Sequence, residues 1–172
     1  MEEVDVKIFK ADKRGVDPTY ATEGSAGFDL YAIDDMIIKP GDTVKVRTGL
    51  VIEVPYGYAL MVHARSGIAA KTPLRLANGV GVIDSDYRGE VIVLMHNSAT
   101  LENHAYPQFI LTDGTTQDSY EYGYLPVGTV VIRAGDRIAQ GVLTQVPKAK
   151  FIKARQVSKT ERGEGGLGST GK

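Results

Sequence analysis

No apolar run in this chain is long enough to make a helix with a packing face, and nearly every run ends at a glycine or proline turn. Val4, Val6 and Ile8 alternate with Asp5 and Lys7, the period-two pattern of a strand with one buried face. Comparable short runs occupy residues 36–38, 43–46, 50–54, 58–64, 80–83, 91–95, 129–132, 138–144 and 151–157. Turn signals separate them at Pro40-Gly41, Pro55-Tyr56-Gly57, Tyr87-Arg88-Gly89 and Ala134-Gly135-Asp136. Many short strands joined this way give an all-β sandwich or barrel. A single helical turn is expected at residues 66–71, with Ser66 placed to cap it.

A chain of 172 residues is one domain with a core of its own, here expected over residues 1–157. The last stretch, 158–172, carries a glycine-rich run that cannot hold a helix or strand, so a flexible tail is expected. The net charge of the whole chain, −1, lacks the basic excess of a nucleic-acid or membrane-surface binder. No run reaches the length of a membrane span, and Met1-Glu2-Glu3-Val4 does not open like a signal peptide. With no cysteine there is no disulfide, thiolate nucleophile or cysteine-based zinc site. His63, His96 and His104 show no metal-ligand spacing. A cytoplasmic domain is expected, or one in a host cell's cytoplasm if phage-encoded. Residues 98–128 differ in character: Tyr106, Tyr120, Tyr122 and Tyr124 sit among Asn, Thr, Gln and Gly without periodicity. They read as a long surface excursion, either a tolerated insertion or a site for a protein partner.

Five segments carry groups with chemical use, and each has a plainer reading beside it. Asp29, in Ala26-Gly27-Phe28-Asp29-Leu30, is a carboxylate at a strand end or a turn cap. Arg65, Ser66 and Gly67 join a guanidinium, a hydroxyl and N–H groups at a helix start, a phosphate seat or an ordinary cap. In the stretch from Asn78 through Gly81 and Val82 to Gly89, a hairpin would put Asp84 at the end of a buried strand and Tyr87 at the bend. Such a carboxylate can take a proton from water, and the ring offers a flat face to a sugar or base. Asp136, Arg137 and Gln140 lie on a strand, as ligand contacts or an edge salt bridge. The tail offers Arg162, Gly168 and Ser169 to an oxyanion, or is simply solvated.

In this order, the segments around Asp29, Arg65-Ser66-Gly67, Asp84-Ser85-Asp86-Tyr87, Gly135-Asp136-Arg137-Ile138-Ala139-Gln140 and the tail resemble the five-motif signature of the trimeric dUTPases (deoxyuridine 5′-triphosphate nucleotidohydrolases). The resemblance spans nearly the whole chain outside residues 98–128. It implies a distorted jelly-roll β-barrel, a homotrimer with a flexible C-terminal lid, and hydrolysis of dUTP to dUMP and pyrophosphate with Mg2+ on the triphosphate. It further implies that Asp84 orients the attacking water and that Tyr87 packs under the deoxyribose. Asn78, with Gly81 and Val82 nearby, would read the uracil edge. Arg65, Ser66, Gly67 and Gln140 would hold phosphates, and Asp29 would support the metal through water. Arg162, Leu167, Gly168 and Ser169 would close the lid. Leu167 stands where the family pattern usually has phenylalanine, and residues 98–128 exceed the usual short hairpin, as in some bacteriophage members. No motif lies in that segment, so it is expected to be dispensable for chemistry. Rival readings are a dCTP deaminase on the same scaffold and a non-catalytic regulatory binding protein.

Overall fold

A computed structural model describes residues 3–102 and 105–166. The chain begins with β1 (Lys7–Lys10), β2 (Thr19–Tyr20), β3 (Phe28–Tyr31), β4 (Met36–Ile38), β5 (Thr43–Arg47), β6 (Leu50–Glu53) and β7 (Tyr58–Ala64). Helix α1 (Ser66–Lys71) follows, then β8 (Leu74–Leu76), β9 (Gly81–Ile83), β10 (Ile92–Asn97), β11 (Ala105–Tyr106) and β12 (Gln108–Leu111). The described strands end with β13 (Thr116–Asp118), β14 (Leu125–Pro126), β15 (Val130–Ile132) and β16 (Arg137–Gln145).

The sheet that positions the site has the order β2-β3-β16-β7-β9. In its registers Leu30 faces Ala139 and Ala139 faces Ala64, while Phe28 faces Gly141 and Gly141 faces Val62. Residues directly opposite share a face. Leu30, Phe28, Ala139, Leu60 and Val62 therefore point together into the barrel, where they are buried in one apolar cluster. That cluster also takes Ile38, Val46, Leu50, Ile52, Leu74, Met95 and Ile132 from the other sheets. Each such side chain contributes roughly 1.5–3 kcal/mol by leaving water. The next residues along, Asp29, Gln140, His63, Met61, Val142 and Val82, share the opposite face.

Several expectations require correction. Val4 and Val6 precede β1, which starts at Lys7 opposite Glu53. Pro55, two residues beyond Glu53, has no N–H to extend that ladder. Residues 151–157 form no strand: Phe151 is 95% exposed and Ile152 80%, with no described backbone partner. Ser66 does not cap α1, because Arg65 occupies the N-cap position and no side chain caps the helix. Asp84 directly follows strand β9, but that strand is not buried and no hairpin joins it to β10, since β9 pairs with β7 while β10 pairs with β5 and β8. The connection carrying Asp84 and Tyr87 thus passes from one sheet to another.

Residues 98–128 are more than a loop. β11 pairs with β14, and β12 pairs antiparallel with β13 and parallel with β15. Phe109 and Leu125 are buried against Val131, with Ile37, Leu111 and Tyr122 packed around them. Phe109 and Tyr122 meet edge to face with ring centres 5.7 Å apart. At the base of the segment, buried Asn97 donates from its Nδ2 to the carbonyls of Ile38 and Gly128 at 2.9 and 2.8 Å. Tyr106, Tyr120 and Tyr124 stay exposed.

Candidate active site

The outer face of the five-stranded sheet carries a row of polar groups that strand register builds directly. Asp29 of β3 lies opposite Gln140 of β16, and Gln140 lies opposite His63 of β7. Arg65 is two residues beyond His63 and Arg137 enters β16 opposite Tyr31, so both reach the same row. The Arg65 Nε donates to Asp29 Oδ1 at 2.9 Å and the Arg137 Nη1 donates to Asp29 Oδ2 at 3.4 Å. The Asp29 side chain is 5% exposed, those of Arg65 and Arg137 22% and 51%. One buried carboxylate thus fixes two guanidinium groups whose outer edges face water, an arrangement suited to an anion with several oxygens. Both Asp29 oxygens are turned to these arginines, so a metal-bound water would have to compete with them. Ser66 and Gly67 are exposed beside Arg65. The first helical bond runs from the Ala69 N–H to the Arg65 carbonyl at 3.0 Å, so the preceding N–H groups lie ahead of the ladder.

A second feature is a cleft of about 100 Å³ between β9 and β10, lined by Asn78, Gly81, Val82, Leu76 and Ile92 among others. Gly81 is a close approach: a Cβ there would lie 3.1 Å from the Val62 Cβ and 3.6 Å from the Asn78 Nδ2. Any larger residue would intrude on the cleft beside the Asn78 amide. Past β9, the Tyr87 N–H donates to the Asp84 carbonyl at 3.1 Å, closing a turn that leaves both side chains exposed. The Tyr87 hydroxyl donates to the Glu90 carbonyl at 3.1 Å, which fixes the ring over Gly89.

Within one chain these two features do not meet at Asp84. Ile83, the last residue of β9, is opposite Leu60, five residues from Arg65, and β9 runs antiparallel to β7, so the chain reaches Asp84 at the end of the sheet away from Arg65. At ~3.3 Å per residue, Leu60 and Arg65 are about 16 Å apart along the strand. The structure brings together Asp29, Arg65, Arg137 and Gln140, sets Gly81 and Val82 beside them on the neighbouring strand, and leaves Asp84 away from the arginines. Arg162 is equally remote from the barrel in its bonding. Residues 144–164 are all exposed, and the described hydrogen bonds of the arm beyond Val146 stay within it, as from the Arg162 Nε to the Gly165 carbonyl at 2.9 Å. Leu167, Gly168, Ser169 and His104 lie outside the described residues. Among the described residues no group of three or more His, Asp or Glu side chains is arranged to hold a metal ion.

Sequence reading missed His63 as a member of the polar row, although its two-residue spacing from Arg65 in a strand signals a shared face. It also missed an ion network below the barrel. Arg14 pairs with Asp12 at 2.7 Å and Asp34 at 2.8 Å, and Arg47 pairs with Glu90 at 3.1 Å. The Arg14 side chain and backbone N–H hold the Asp12 carboxyl well below the usual carboxylate range. The same contacts raise the Arg14 guanidinium. Charges far apart in sequence leave no local pattern by which to find such a network.

Fold and site define an all-β barrel with a sheet face on which a buried carboxylate holds two guanidinium groups, and a small, mixed polar and apolar cleft beside it. The dUTPase family pattern matches residues 13–104 and 127–171, and the chain belongs to the dUTPase family. It is 44% identical over 176 residues to the deoxyuridine 5′-triphosphate nucleotidohydrolase of Desulfitobacterium hafniense, covering 99% of each chain. The barrel superposes with a TM-score of 0.92 on Staphylococcus bacteriophage 80alpha dUTPase with dUPNHPP, at 24% identity, covering 97% of this chain and 98% of that one. A mutant dUTPase from phage phi11 of S. aureus, described with a structural Mg(II) ion, gives a TM-score of 0.83 at 22% identity, covering 89% of this chain and 98% of that one. At those identities the likeness bears on the fold, the distorted jelly-roll barrel expected from the sequence.

Proposed function

We propose that this chain hydrolyses dUTP to dUMP and pyrophosphate, by attack of water on the α-phosphorus, in a site shared between subunits of a homotrimer. The observation that carries the reading is the buried Asp29 holding Arg65 and Arg137 in line with Gln140, on a chain whose motifs follow the dUTPase order. Hydrolysis at an α-phosphorus is limited by charge repulsion and alignment, so fixed cations and a placed water supply most of the catalysis.

Arg65, Gln140, Ser66 and the Gly67 backbone would bind the phosphate oxygens. Asn78 and the backbone of Gly81 and Val82 would read the uracil edge in the cleft, and a thymine methyl would crowd that small space. Cytosine reverses a donor and an acceptor and would leave cleft groups unpaired. Tyr87, with its ring fixed by the Glu90 carbonyl, would pack against the deoxyribose. Asp84 is exposed, so its carboxylate can reach and orient the attacking water and accept its proton. Asp29 acts through Arg65 and Arg137, keeping both guanidinium groups aimed before substrate arrives. Arg162, on an exposed arm, would reach the γ-phosphate with Leu167, Gly168 and Ser169 closing the lid.

The donor set fits a Mg2+ ion that arrives on the triphosphate with its waters, because no described cluster of acidic side chains offers direct ligands. When bound, that ion supplies positive charge against the triphosphate and the developing leaving group.

Sharing follows from the distance between Asp84 and Arg65. A second copy can bring its Asp84 to this chain's arginines, from which this chain's own Asp84 is led away by the antiparallel course of β9. Met61, Val82 and Val142 form an apolar stripe beside the polar row, with Val82 55% exposed, the kind of surface another subunit covers. The test is to follow dUMP and pyrophosphate formed from dUTP with Mg2+, together with ammonia released from dCTP. Products from dUTP alone support the reading; ammonia from dCTP would replace it with a deaminase, and neither product with a non-catalytic binding role.

A further inference from the structure

The family pattern stops at residue 104 and resumes at 127, so the intervening strands lie outside the residues that the pattern matches. Their inner turn nevertheless touches the phosphate-binding face at two places. The Thr112 hydroxyl donates to Asp136 Oδ2 at 2.9 Å, and the Arg133 N–H donates to the same oxygen at 3.0 Å. Asp136 is fixed on its backbone side as well, accepting from the Ala32 N–H at 2.9 Å and donating to the Arg133 carbonyl at 3.0 Å. The next residue is Arg137, which reaches Asp29. Thr112 therefore restrains the turn from which one of the two guanidinium groups departs.

The second contact lies on α1. The turn is closed by the Gly114 N–H donating to the Leu111 carbonyl at 2.9 Å and the Leu111 N–H donating to the Thr115 carbonyl at 2.8 Å. Gly114 has φ +87, and a Cβ there would fall 2.8 Å from the Lys71 Cβ and 3.2 Å from the Lys71 carbonyl oxygen. Both the backbone angle and the space require glycine. Lys71 ends the one-and-a-half-turn helix that Ser66 begins, so a wedge at Lys71 sets where Ser66 stands. Asp113 stiffens the turn, accepting from the Thr115 N–H at 2.8 Å and from its hydroxyl at 2.7 Å. Those bonds hold the Asp113 carboxyl below its usual range. A third tie comes from Arg133, which donates to Gln117 Oε1 at 3.1 Å and lies over the Phe109 ring.

We infer that the turn at residues 112–115 of the inserted segment is a positioning element for the phosphate site, bracing Arg137 through Asp136 and Ser66 through Lys71. An excursion that the fold merely tolerates would contact neither. This reverses the sequence-based expectation that the segment is dispensable for chemistry. It rests on the proposed function only for the identity of the anion bound.

The test uses the full chain with Thr112→Val, which keeps the shape and removes the donor, Thr112→Ser, which restores it, and Gly114→Ala. Melting temperature, KM and kcat for dUTP, affinity for inorganic pyrophosphate and for deoxyuridine, and the Arg137 Nε–H resonance of the ligand-free protein are measured. Thr112→Val is expected to raise KM for dUTP and the dissociation constant for pyrophosphate roughly three- to tenfold, part of the worth of a charge-assisted hydrogen bond lost at one remove. Deoxyuridine affinity should hold, the Arg137 resonance should move, and Thr112→Ser should return both to normal. Gly114→Ala should weaken pyrophosphate binding in the same direction. Unchanged pyrophosphate affinity with an unmoved Arg137 resonance in a folded Thr112→Val protein would overturn the inference. So would an equal loss for deoxyuridine. Failure of the wild-type protein to hydrolyse dUTP would instead overturn the proposed function, and the Arg137 resonance would still decide whether the brace exists.

Discussion

Replacing Asp29 with asparagine separates two roles that one carboxylate could play. The variant keeps the side-chain shape but offers Arg65 and Arg137 a neutral amide in place of a charge. A sealed ion pair losing one partner costs roughly 3–5 kcal/mol. Arg137 is half exposed and its contact is 3.4 Å long, so water relieves that half and its share is small. The Arg65 contact, at 2.9 Å and largely covered, is a charge-assisted bond worth about 1.5–3 kcal/mol. We expect a stability loss of about 1–3 kcal/mol, or about 2–10 °C in Tm for a domain of this size. If the same interaction aims Arg65 in the transition state, kcat/KM for dUTP falls roughly 10- to 100-fold. Pyrophosphate release is measured for wild type and variant across a range of Mg2+ concentration. On the proposal that Asp29 acts through the arginines it contacts, raising Mg2+ should not restore the variant. Recovery of wild-type kcat/KM at high Mg2+ would show that Asp29 serves the metal, and an unchanged kcat/KM would remove it from the site.

Asp84→Asn should leave the fold and dUTP binding nearly intact while cutting turnover roughly 10²–10⁴-fold, read by pyrophosphate release and by titration with a non-hydrolysable dUTP analogue. Inactive Asp84→Asn chains refolded with inactive chains truncated after Ser158 should regain part of the activity, because each supplies what the other lacks. Mixed trimers that stay inactive would refute the shared site. The Asp12 carboxyl is held below its ordinary value in the folded protein, so the stability it contributes is present above about pH 4 and is lost as pH falls further. Asp12→Asn should therefore flatten the acid limb of Tm against pH below about pH 4 and leave the shape of the curve near neutrality unchanged.

What could be read from the sequence was whatever local pattern controls. β7 begins and ends where the apolar run and the Pro55-Tyr56-Gly57 turn place it, and α1 occupies the six residues expected. The family itself was recognisable because its motifs are short and ordered. The sequence was silent where distant segments decide. Phe151, Ile152 and Val157 have a strand's composition, but a strand also needs a partner edge, and no described strand pairs with them. β11, β13 and β14 are two or three residues long, too short to show a period, and they exist because β12 adds to the edge of β15 and buries Phe109. Asp29 looked like a turn cap or a metal carboxylate because nothing near it in sequence tells that Arg65 and Arg137 converge on it.

Incubation of the purified protein with dUTP and Mg2+, with dTTP, UTP and dCTP alongside, tests the reading of the site as a whole. One dUMP and one pyrophosphate should form per dUTP, with oxygen from labelled water entering the dUMP phosphate. The other three nucleotides should be hydrolysed far more slowly, UTP because the proposed packing of Tyr87 against the deoxyribose would leave no room for a 2′-hydroxyl. Label appearing in pyrophosphate instead of dUMP would contradict attack at the α-phosphorus. Equal hydrolysis of all four nucleotides would contradict the assignment of the cleft at Asn78, Gly81 and Val82 to uracil.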